Sequence, residues 1–336
     1  MRESRMDNMR FLLIFLVVLG HFFEVSQNPL LMNATELIYS FHMPVFVFVS
    51  GYFAKFNTQR IVRTYLYSYV LLQIIYIFFI RYYLGNSGFA FQFSVPCYTL
   101  WYLPAMAFYT ILIPVIQTES AAKRMCVLAA SVAVSLFAGA DPSVGYSFAS
   151  GRFFGFLPFF ILGFYCRSTG AVTRLCSMKI PFKVLCGAAL AVIVAAAEAF
   201  IIKSPSISFN DMTYSFTYSQ TVGGFRARAF LLAAGFLWII LLLLAAPKKK
   251  IPLISNIGAN TFPVYIFHGF VVKILIKNEI TDLNVKAYVL IAVACSLLLT
   301  AALGNKIVSA VAKWGFTGHW ISFLDKKTKR KKTAID

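Results

Sequence analysis

The feature that most constrains the fold is a series of long apolar segments separated by short polar ones. A helix needs about 20 mostly apolar residues to cross a bilayer, and many runs in this chain approach that length. Hydrophobic residues make up 60% of the chain and charged residues 13%, whereas a soluble protein carries about 25% charged residues. The sequence therefore predicts an all-α, polytopic integral membrane protein. Outer-membrane barrels show short alternating segments instead of such unbroken runs.

The apolar segments predict about ten transmembrane helices with both termini in the cytoplasm. In this arrangement 23 of the 31 lysines and arginines lie inside, as the positive-inside rule expects. The stretch from Lys273 to Lys286 fits the arrangement least well, because it places basic residues outside. The start of the chain is expected to be a retained first helix and not a cleaved signal peptide. The predicted spans lie near residues 9–25, 36–54, 63–83, 98–117, 124–139, 152–168, 182–202, 227–246, 259–277 and 286–304.

We predict one transmembrane domain over residues 1–305, followed by an interfacial amphipathic helix and a basic cytoplasmic tail over residues 306–336. Ile307, Val311 and Trp314 give this last helix an apolar face. Six of the seven residues in Lys326–Lys332 are basic, and such a tail attracts anionic lipid. The net charge of +19 is therefore attributed to topology and lipid, and no nucleic-acid partner is expected. The six cysteines lack metal-type spacing, so no metal site is predicted.

The first predicted span carries three ionisable residues on nearly one face. Arg10 and His21 are 11 positions apart, which in a helix is three turns plus roughly 20° and about 16 Å. Glu24 follows three residues later, close to the same face. Ionisable residues inside a membrane are candidates for function. Histidine can accept a proton from a hydroxyl, and a carboxylate can orient it as in hydrolytic triads.

Each of these residues also has a purely structural interpretation, which the residues alone leave open. Arg10 can be a topology charge at the cytoplasmic surface. His21 can form a hydrogen bond to a neighbouring helix, and Glu24 can be an interfacial charge.

Short motifs lie at or near the ends of several predicted spans. They are Asp7-Asn8-Met9-Arg10, the arginine–histidine spacing that ends at His21, Phe41-His42-Met43-Pro44, Ser50-Gly51-Tyr52-Phe53, the basic pair Arg60 and Arg63, Trp101-Tyr102-Leu103-Pro104-Ala105, the run 156–163 and the run 260–269. Together this set resembles the acyltransferase family 3 membrane proteins, in particular the fucose 4-O-acetylase-like subgroup. The likeness covers nearly the whole chain. One departure is Met9-Arg10-Phe11, where Leu-Arg-Gly is common in the family.

The resemblance implies an enzyme that transfers an acyl group, usually acetyl, to a hydroxyl of a cell-surface or lipid-linked glycan. The donor would be cytoplasmic acyl-CoA, used as a substrate, with no bound cofactor. The implied location is a cell membrane, that of a bacterium. Carried over to this sequence, His21 is the general base or a transient acyl carrier, with Glu24 as a possible orienter, and Arg10 binds the donor.

The remaining candidates divide into a donor set and an acceptor set. The donor set adds Arg60 and Arg63 to Arg10, because guanidinium groups bind phosphate well. It also includes His268, which lies early in the ninth predicted span, near the inner side, where it could line the path of CoA. The acceptor set is His42, Trp101, Arg152 and Tyr265. Plain positive-inside charges, an interfacial tryptophan and packing hydrogen bonds are the alternatives for these residues.

Two other classes of membrane protein stay open at this stage. A proton-coupled transporter or a glycan flippase uses the same buried residue types, although the chain lacks the internal repeat of many transporters. A structural or sensory protein could keep the fold without activity.

Overall fold

The computed structural model describes residues 3–26, 28–139, 141, 144–145, 147–203, 222–277 and 284–318. The regular structure of these residues is helical throughout, as the sequence predicts. In chain order the helices are α1 (Ser4–Val25), α2 (Pro29–Tyr52), α3 (Thr58–Tyr83), α4 (Tyr102–Ile116), α5 (Ala121–Ala138), α6 (Ser150–Thr169), α7 (Ala171–Cys176), α8 (Ile180–Lys203), α9 (Val222–Ala245), α10 (Pro252–Gly258), α11 (Thr261–Lys277), α12 (Val285–Leu303) and α13 (Lys306–Phe316).

Six helices within the described residues are long and apolar enough to cross a membrane: α1, α3, α5, α6, α9 and α12. The pair α10 and α11, bent by 74° at the break between them, is a seventh if it forms one span. Each of the ten predicted segments overlaps a helix. The protein is thus an all-helical, multi-pass membrane protein, while ten crossings and cytoplasmic termini stay predictions.

The apolar surface that the bundle leaves uncovered is suited to lipid. On α8, Ile180, Leu185 and Val192 are 66–76% exposed, and α5 also has much of its apolar surface exposed. Exposed apolar areas of this size are unusual in soluble proteins and mark a membrane-facing surface.

Two sequence motifs bring α2 and α6 into direct backbone contact. A Cβ atom on Gly51 would lie 2.1 Å from the carbonyl oxygen of Phe160, and one on Gly163 would lie 2.0 Å from that of Phe48. No side chain fits at these distances, so glycine is required at both positions. Small residues permit this close approach of membrane helices, which explains Ser50-Gly51-Tyr52-Phe53 and the glycine of the run 156–163.

The Asp7–Arg10 motif connects the start of α1 by hydrogen bonds to α10 and the segment before it. The Asn8 side-chain amide donates to the carbonyl oxygens of Pro247 and Lys249 at 3.0 and 3.1 Å, and its oxygen accepts from Ser255 Oγ at 2.6 Å. Because these bonds satisfy a buried amide, they fix the N-terminal end of α1 and with it the position of Arg10.

The helix after residue 305 is packed onto the bundle. Ser68 Oγ donates to the carbonyl oxygen of Phe316 at 2.5 Å, and the rings of Phe267 and Phe316 lie 5.4 Å apart. Ile307 and Trp314 are exposed, at 79% and 69%. The division at residue 305 and the interfacial role of this helix stay predictions, and Lys326–Lys332 lie outside the described residues.

Candidate functional site

Two cavities meet in the middle of the bundle. The first, of about 520 Å³, is the basic cavity; the second, of about 550 Å³, is the histidine cavity. Phe46, Tyr102 and Tyr265 line both, so these three aromatic residues form the neck between them. The rings of Tyr102 and Tyr265 lie 5.7 Å apart. The Tyr102 hydroxyl is held by Ser50 Oγ at 2.5 Å.

The basic cavity carries five cationic side chains, and none of the described residues that line it is acidic. Arg10 of α1 holds its guanidinium carbon 4.5 Å from the centre of the Phe53 ring and Nη1 3.8 Å from Asp7 Oδ1. Arg60 and Arg63 belong to the first turns of α3, part of which, 61–66, is a π-helix. Such turns are rare and are found at functional sites. The cations are Arg10, Lys55, Arg60, Arg63 and Lys313.

The far wall of the basic cavity comes from the end of the chain. The break between α10 and α11 contributes Ala259–Phe262, and α13 contributes Lys313. The N-terminus of α11 therefore opens beside the cations, where unpaired backbone N–H groups favour an anion. Lys313 belongs to the segment that was predicted to lie at the interface. It was not predicted as a site residue, although it lines this cavity.

In the histidine cavity, three side chains form a hydrogen-bonded triangle. His21 Nδ1 lies 2.6 Å from the Tyr39 hydroxyl and 3.1 Å from Glu24 Oε2. Tyr39 donates its hydroxyl proton to Glu24 Oε2 at 2.8 Å. The spacing of α1 brings His21 and Glu24 together, and Tyr39 comes from α2.

The triangle determines the tautomer of His21. Because the Tyr39 proton is directed at Glu24, the Tyr39 oxygen accepts from His21, so Nδ1 carries the imidazole proton. The other nitrogen, Nε2, then has a lone pair that can take a proton. This is the arrangement in which a carboxylate and its partner hold a histidine ready as a base.

Two further histidines accompany His21 in this cavity. His42 and His268 each have Nδ1 2.8 Å from the carbonyl oxygen four residues earlier, of Ile38 and Val264. The His268 ring stacks on that of His21 with centres 5.4 Å apart. Both are buried, and His268 Nε2 has no hydrogen-bond partner among the described residues.

His268 lies away from the place that the sequence suggested. His268 was predicted to bind the donor beside Arg10, Arg60 and Arg63. These three arginines do share the basic cavity, whereas His268 lines the histidine cavity. The bend before Thr261 is the reason: α11 starts a new helix at the basic cavity, and seven residues then advance about 10 Å to the level of His21.

The four predicted acceptor residues all line the histidine cavity. Tyr265 stands at the neck, and its hydroxyl donates to the carbonyl oxygen of Thr99 at 3.0 Å. Trp101 is only 8% exposed. Its ring stacks on Phe156 at 5.4 Å, and the Arg152 guanidinium carbon lies 5.1 Å from its centre. These neighbours leave little of the indole for a sugar.

A loop between α3 and α4 covers part of the histidine cavity. Gln73 is fully buried, and its side-chain amide forms three hydrogen bonds to this loop. Nε2 donates to the carbonyl oxygens of Gln92 and Val95, and Oε1 accepts from the Cys97 N–H, all at 2.8–2.9 Å. The loop thereby holds Tyr98, whose φ is 49°, with its ring 5.0 Å from that of His21.

Four residues at or behind the histidine cavity were not predicted from the sequence: Tyr39, Gln73, Tyr98 and Lys273. For Tyr39 a signal was available, because it precedes His42 by three residues and so shares its helix face. Lys273 lines the histidine cavity. The sequence did offer a signal for it, because a lysine on the predicted outer side goes against the positive-inside rule. For Gln73 and Tyr98 nothing in the sequence pointed to a site. Among the described residues, no group of three or more His, Cys, Asp or Glu side chains could hold a metal ion.

Comparison with known proteins gives one match. A protein-family model described as an acyltransferase domain, Acyl_transf_3, matches residues 3–305. Neither a search of curated proteins nor one of solved structures finds a significant match. Because the family model spans nearly the whole chain, the protein belongs to the acyltransferase family 3 of membrane acyltransferases.

Proposed function

We propose that the protein transfers an acetyl group from cytoplasmic acetyl-CoA to a hydroxyl of a cell-surface or lipid-linked glycan, with His21 as the base. The observation that carries the proposal is the pair of adjacent cavities that share three aromatic residues, one cationic and one holding the His21–Tyr39–Glu24 triangle. In this scheme the protein lies in a bacterial plasma membrane with both termini inside. The fucose 4-O-acetylase-like subgroup belongs to the same proposal.

The donor fits the basic cavity by charge. The head of acyl-CoA carries several phosphate charges, and five cations line this cavity without an acidic residue among its described members. Charge-assisted hydrogen bonds from guanidinium to phosphate are about twice as strong as neutral ones. Lys313 of α13 and the start of α11 add positive potential on the opposite wall.

The thioester has to reach His21 through the aromatic neck. Arg10 and His21 are on one face of α1 and about 16 Å apart along its axis, a distance that the extended pantetheine arm would cover. Phe46, Tyr102 and Tyr265 would enclose the arm and keep water from the thioester. The acceptor then approaches from the outer end of the histidine cavity.

The proposed chemistry is a direct acyl transfer. His21 Nε2 takes the proton of the acceptor hydroxyl, and the oxygen attacks the thioester carbonyl. As the tetrahedral intermediate collapses, the carbon–sulfur bond breaks and the CoA thiolate takes a proton from the imidazolium. In a second route His21 Nε2 attacks the thioester carbonyl itself, the carbon–sulfur bond breaks and the CoA thiolate leaves as the thiol with the imidazole proton. The acceptor oxygen then attacks the acyl group, the carbon–nitrogen bond breaks, and the acceptor's proton passes to the imidazole.

A transporter or flippase is the competing proposal, and the fate of CoA separates the two. The purified protein should release CoA over many turnovers only when an acceptor glycan is present. Movement of substrate across the membrane without release of CoA thiol would favour the transporter.

For the donor site, changing Arg60 and Arg63 together to glutamine should raise the KM for acetyl-CoA about tenfold or more, with kcat little changed. The reason is that two phosphate contacts made equally in the ground and transition states would be lost, and each tenfold corresponds to about 1.4 kcal/mol. The measurement is initial-rate release of CoA thiol. Arg124→Gln is the control: this partly buried arginine donates to the Glu119 carbonyl oxygen and lines neither cavity. An unchanged KM in the double variant would mean that Arg60 and Arg63 do not bind the donor and serve only as positive-inside charges.

For the triangle, Tyr39→Phe should lower kcat about tenfold to a hundredfold with the KM for acetyl-CoA unchanged. The ring still fills its place, but Nδ1 loses one of its two partners and the imidazole is less firmly held in the required tautomer. Retention of full kcat would mean that Glu24 alone orients His21. Tyr109→Phe serves as a control, because this buried tyrosine bonds to the Phe153 carbonyl and lines neither cavity.

A further inference from the structure

Two basic residues lie in the histidine cavity, where topology alone would not place them. Lys273 of α11 and Arg152 of α6 both line it, and in the predicted arrangement both belong to the outer side, which the positive-inside rule leaves poor in lysine and arginine. Glu24 is the acidic residue among the described residues of this lining, and it accepts hydrogen bonds within the triangle. The described lining therefore has two permanent cations for one carboxylate.

Both cations are held against aromatic rings close to the triangle. Lys273 Nζ lies 4.7 Å from the centre of the Tyr98 ring, and the Arg152 guanidinium carbon lies 5.1 Å from that of Trp101. Contacts of this kind position a cation without cancelling its charge. Lys273 interacts electrostatically with Glu24, and Arg152 with Tyr39. Tyr98 in turn stands beside His21, so the Lys273 charge lies close to where an acceptor hydroxyl would meet the base, and Arg152 lines the same cavity.

The proposed reaction gives these two cations no other task. The donor phosphates are assigned to the basic cavity on the far side of the neck, and Tyr39 and Glu24 already orient His21. In a cavity bounded by apolar helices, charges interact much more strongly than in water. Two cations there attract an anion and leave a neutral sugar without a matching group.

We infer that the acceptor is acidic: a carboxylate or phosphate on the glycan or its lipid carrier binds Lys273 and Arg152 while a nearby hydroxyl meets His21. This inference rests on the proposed function, since it identifies the outer cavity with the acceptor site. An acidic sugar and a lipid-linked diphosphate share this chemistry, and the test separates them.

The test compares matched probes on the purified full-length protein in detergent, without donor. One pair is methyl β-D-glucuronoside and methyl β-D-glucoside; the other is farnesyl diphosphate and farnesol. Binding is followed by calorimetry and by the shift in thermal unfolding. We expect the anionic member of one pair to bind about tenfold or more tightly than its neutral partner. A preference in the first pair points to an acidic sugar, and one in the second to a lipid diphosphate. Equal binding within both pairs overturns the inference.

The variants tie the preference to the two residues. Lys273→Gln and Arg152→Gln should each remove most of the preference for the anion, and Lys273→Arg should keep it. Lys277→Gln is the matched control one turn along α11: its ammonium is exposed, bonds to the Tyr83 carbonyl and lies 4.4 Å from the Tyr83 ring centre, outside the cavity. A preference that survives in both glutamine variants would overturn the assignment.

Failure of this inference and failure of the proposed function give different results. Acetyl-CoA binding at the basic cavity, measured on the same Lys273→Gln sample, reports whether the variant is folded. Donor binding and transfer with equal affinity for charged and neutral probes would leave the acyltransferase standing and remove the acidic acceptor. Selective binding of the anionic probe without any acetyl-CoA binding would support an anion site and contradict the proposed acyltransferase. A fall in kcat for neutral and anionic acceptors alike in Lys273→Gln would assign Lys273 to the oxyanion and overturn the inference.

Discussion

Replacing His21 with alanine is expected to lower acyl transfer about a thousandfold while leaving acetyl-CoA binding intact. The imidazole is the group in the triangle whose free nitrogen can take the hydroxyl proton, and general base catalysis contributes about 10² to 10⁴ in rate. In the proposed scheme the donor head binds in the basic cavity, whose described lining does not include His21, so the KM for acetyl-CoA should change little.

The measurement has two parts. Release of CoA thiol from the purified protein gives the rate, and mass spectrometry of the host's surface glycans, with and without the protein, shows a gain of one acyl mass on one sugar. His21→Gln is the companion variant, because glutamine fills more of the space and can still bond to Tyr39 but cannot accept a proton. Transfer retained by either variant would remove His21 from the role of base.

The same preparation separates the two chemical routes. If His21 carries the acyl group, mixing enzyme and acetyl-CoA without acceptor should release one equivalent of CoA in a burst. Direct transfer predicts no burst, and both routes lose activity in His21→Ala.

Replacing Gly163 with alanine is expected to destabilise the bundle and to lower the yield of folded protein. The new methyl carbon would lie 2.0 Å from the carbonyl oxygen of Phe48 and 2.9 Å from the backbone nitrogen of Tyr52. Backbone atoms cannot move aside as a flexible side chain can, so α2 and α6 have to separate. Forcing excess volume into a packed interior costs about 1–3 kcal/mol, and more where the contact is with backbone. This outweighs the gain of about 1 kcal/mol that alanine has over glycine in a helix.

The yield of folded protein in detergent and its thermal unfolding temperature measure this effect. Gly187→Ala on α8 is the control, since a Cβ there meets nothing within 4 Å, and it should be neutral or stabilising. Gly51→Ala should behave like Gly163→Ala, because its Cβ would lie 2.1 Å from the Phe160 carbonyl oxygen. A normal unfolding temperature for both Gly163→Ala and Gly51→Ala would mean that the α2–α6 contact tolerates separation.

The membrane character and the arrangement along α1 could be read from the sequence, because both depend on local order. The length of the apolar runs indicates helices, and the helical period places Arg10, His21 and Glu24 on one face. In the structure Arg10 lines one cavity and His21 and Glu24 the other. The motif residues also coincide with functionally or structurally demanding positions, as Asn8 and Gly51 show.

The partners of that face were decided only by tertiary structure. Tyr39 reaches His21 because α1 and α2 pack side by side, and Lys313 reaches the basic cavity because α13 folds back onto α3 and α11. The bend before Thr261 moved His268 from the donor side to His21. A single sequence shows the period of each helix and therefore its faces. Which faces meet depends on packing between segments far apart in the chain. That packing brings together the three aromatic residues of the neck, joins Tyr39 to His21 and Glu24, and places Lys273 and Arg152 in the same cavity.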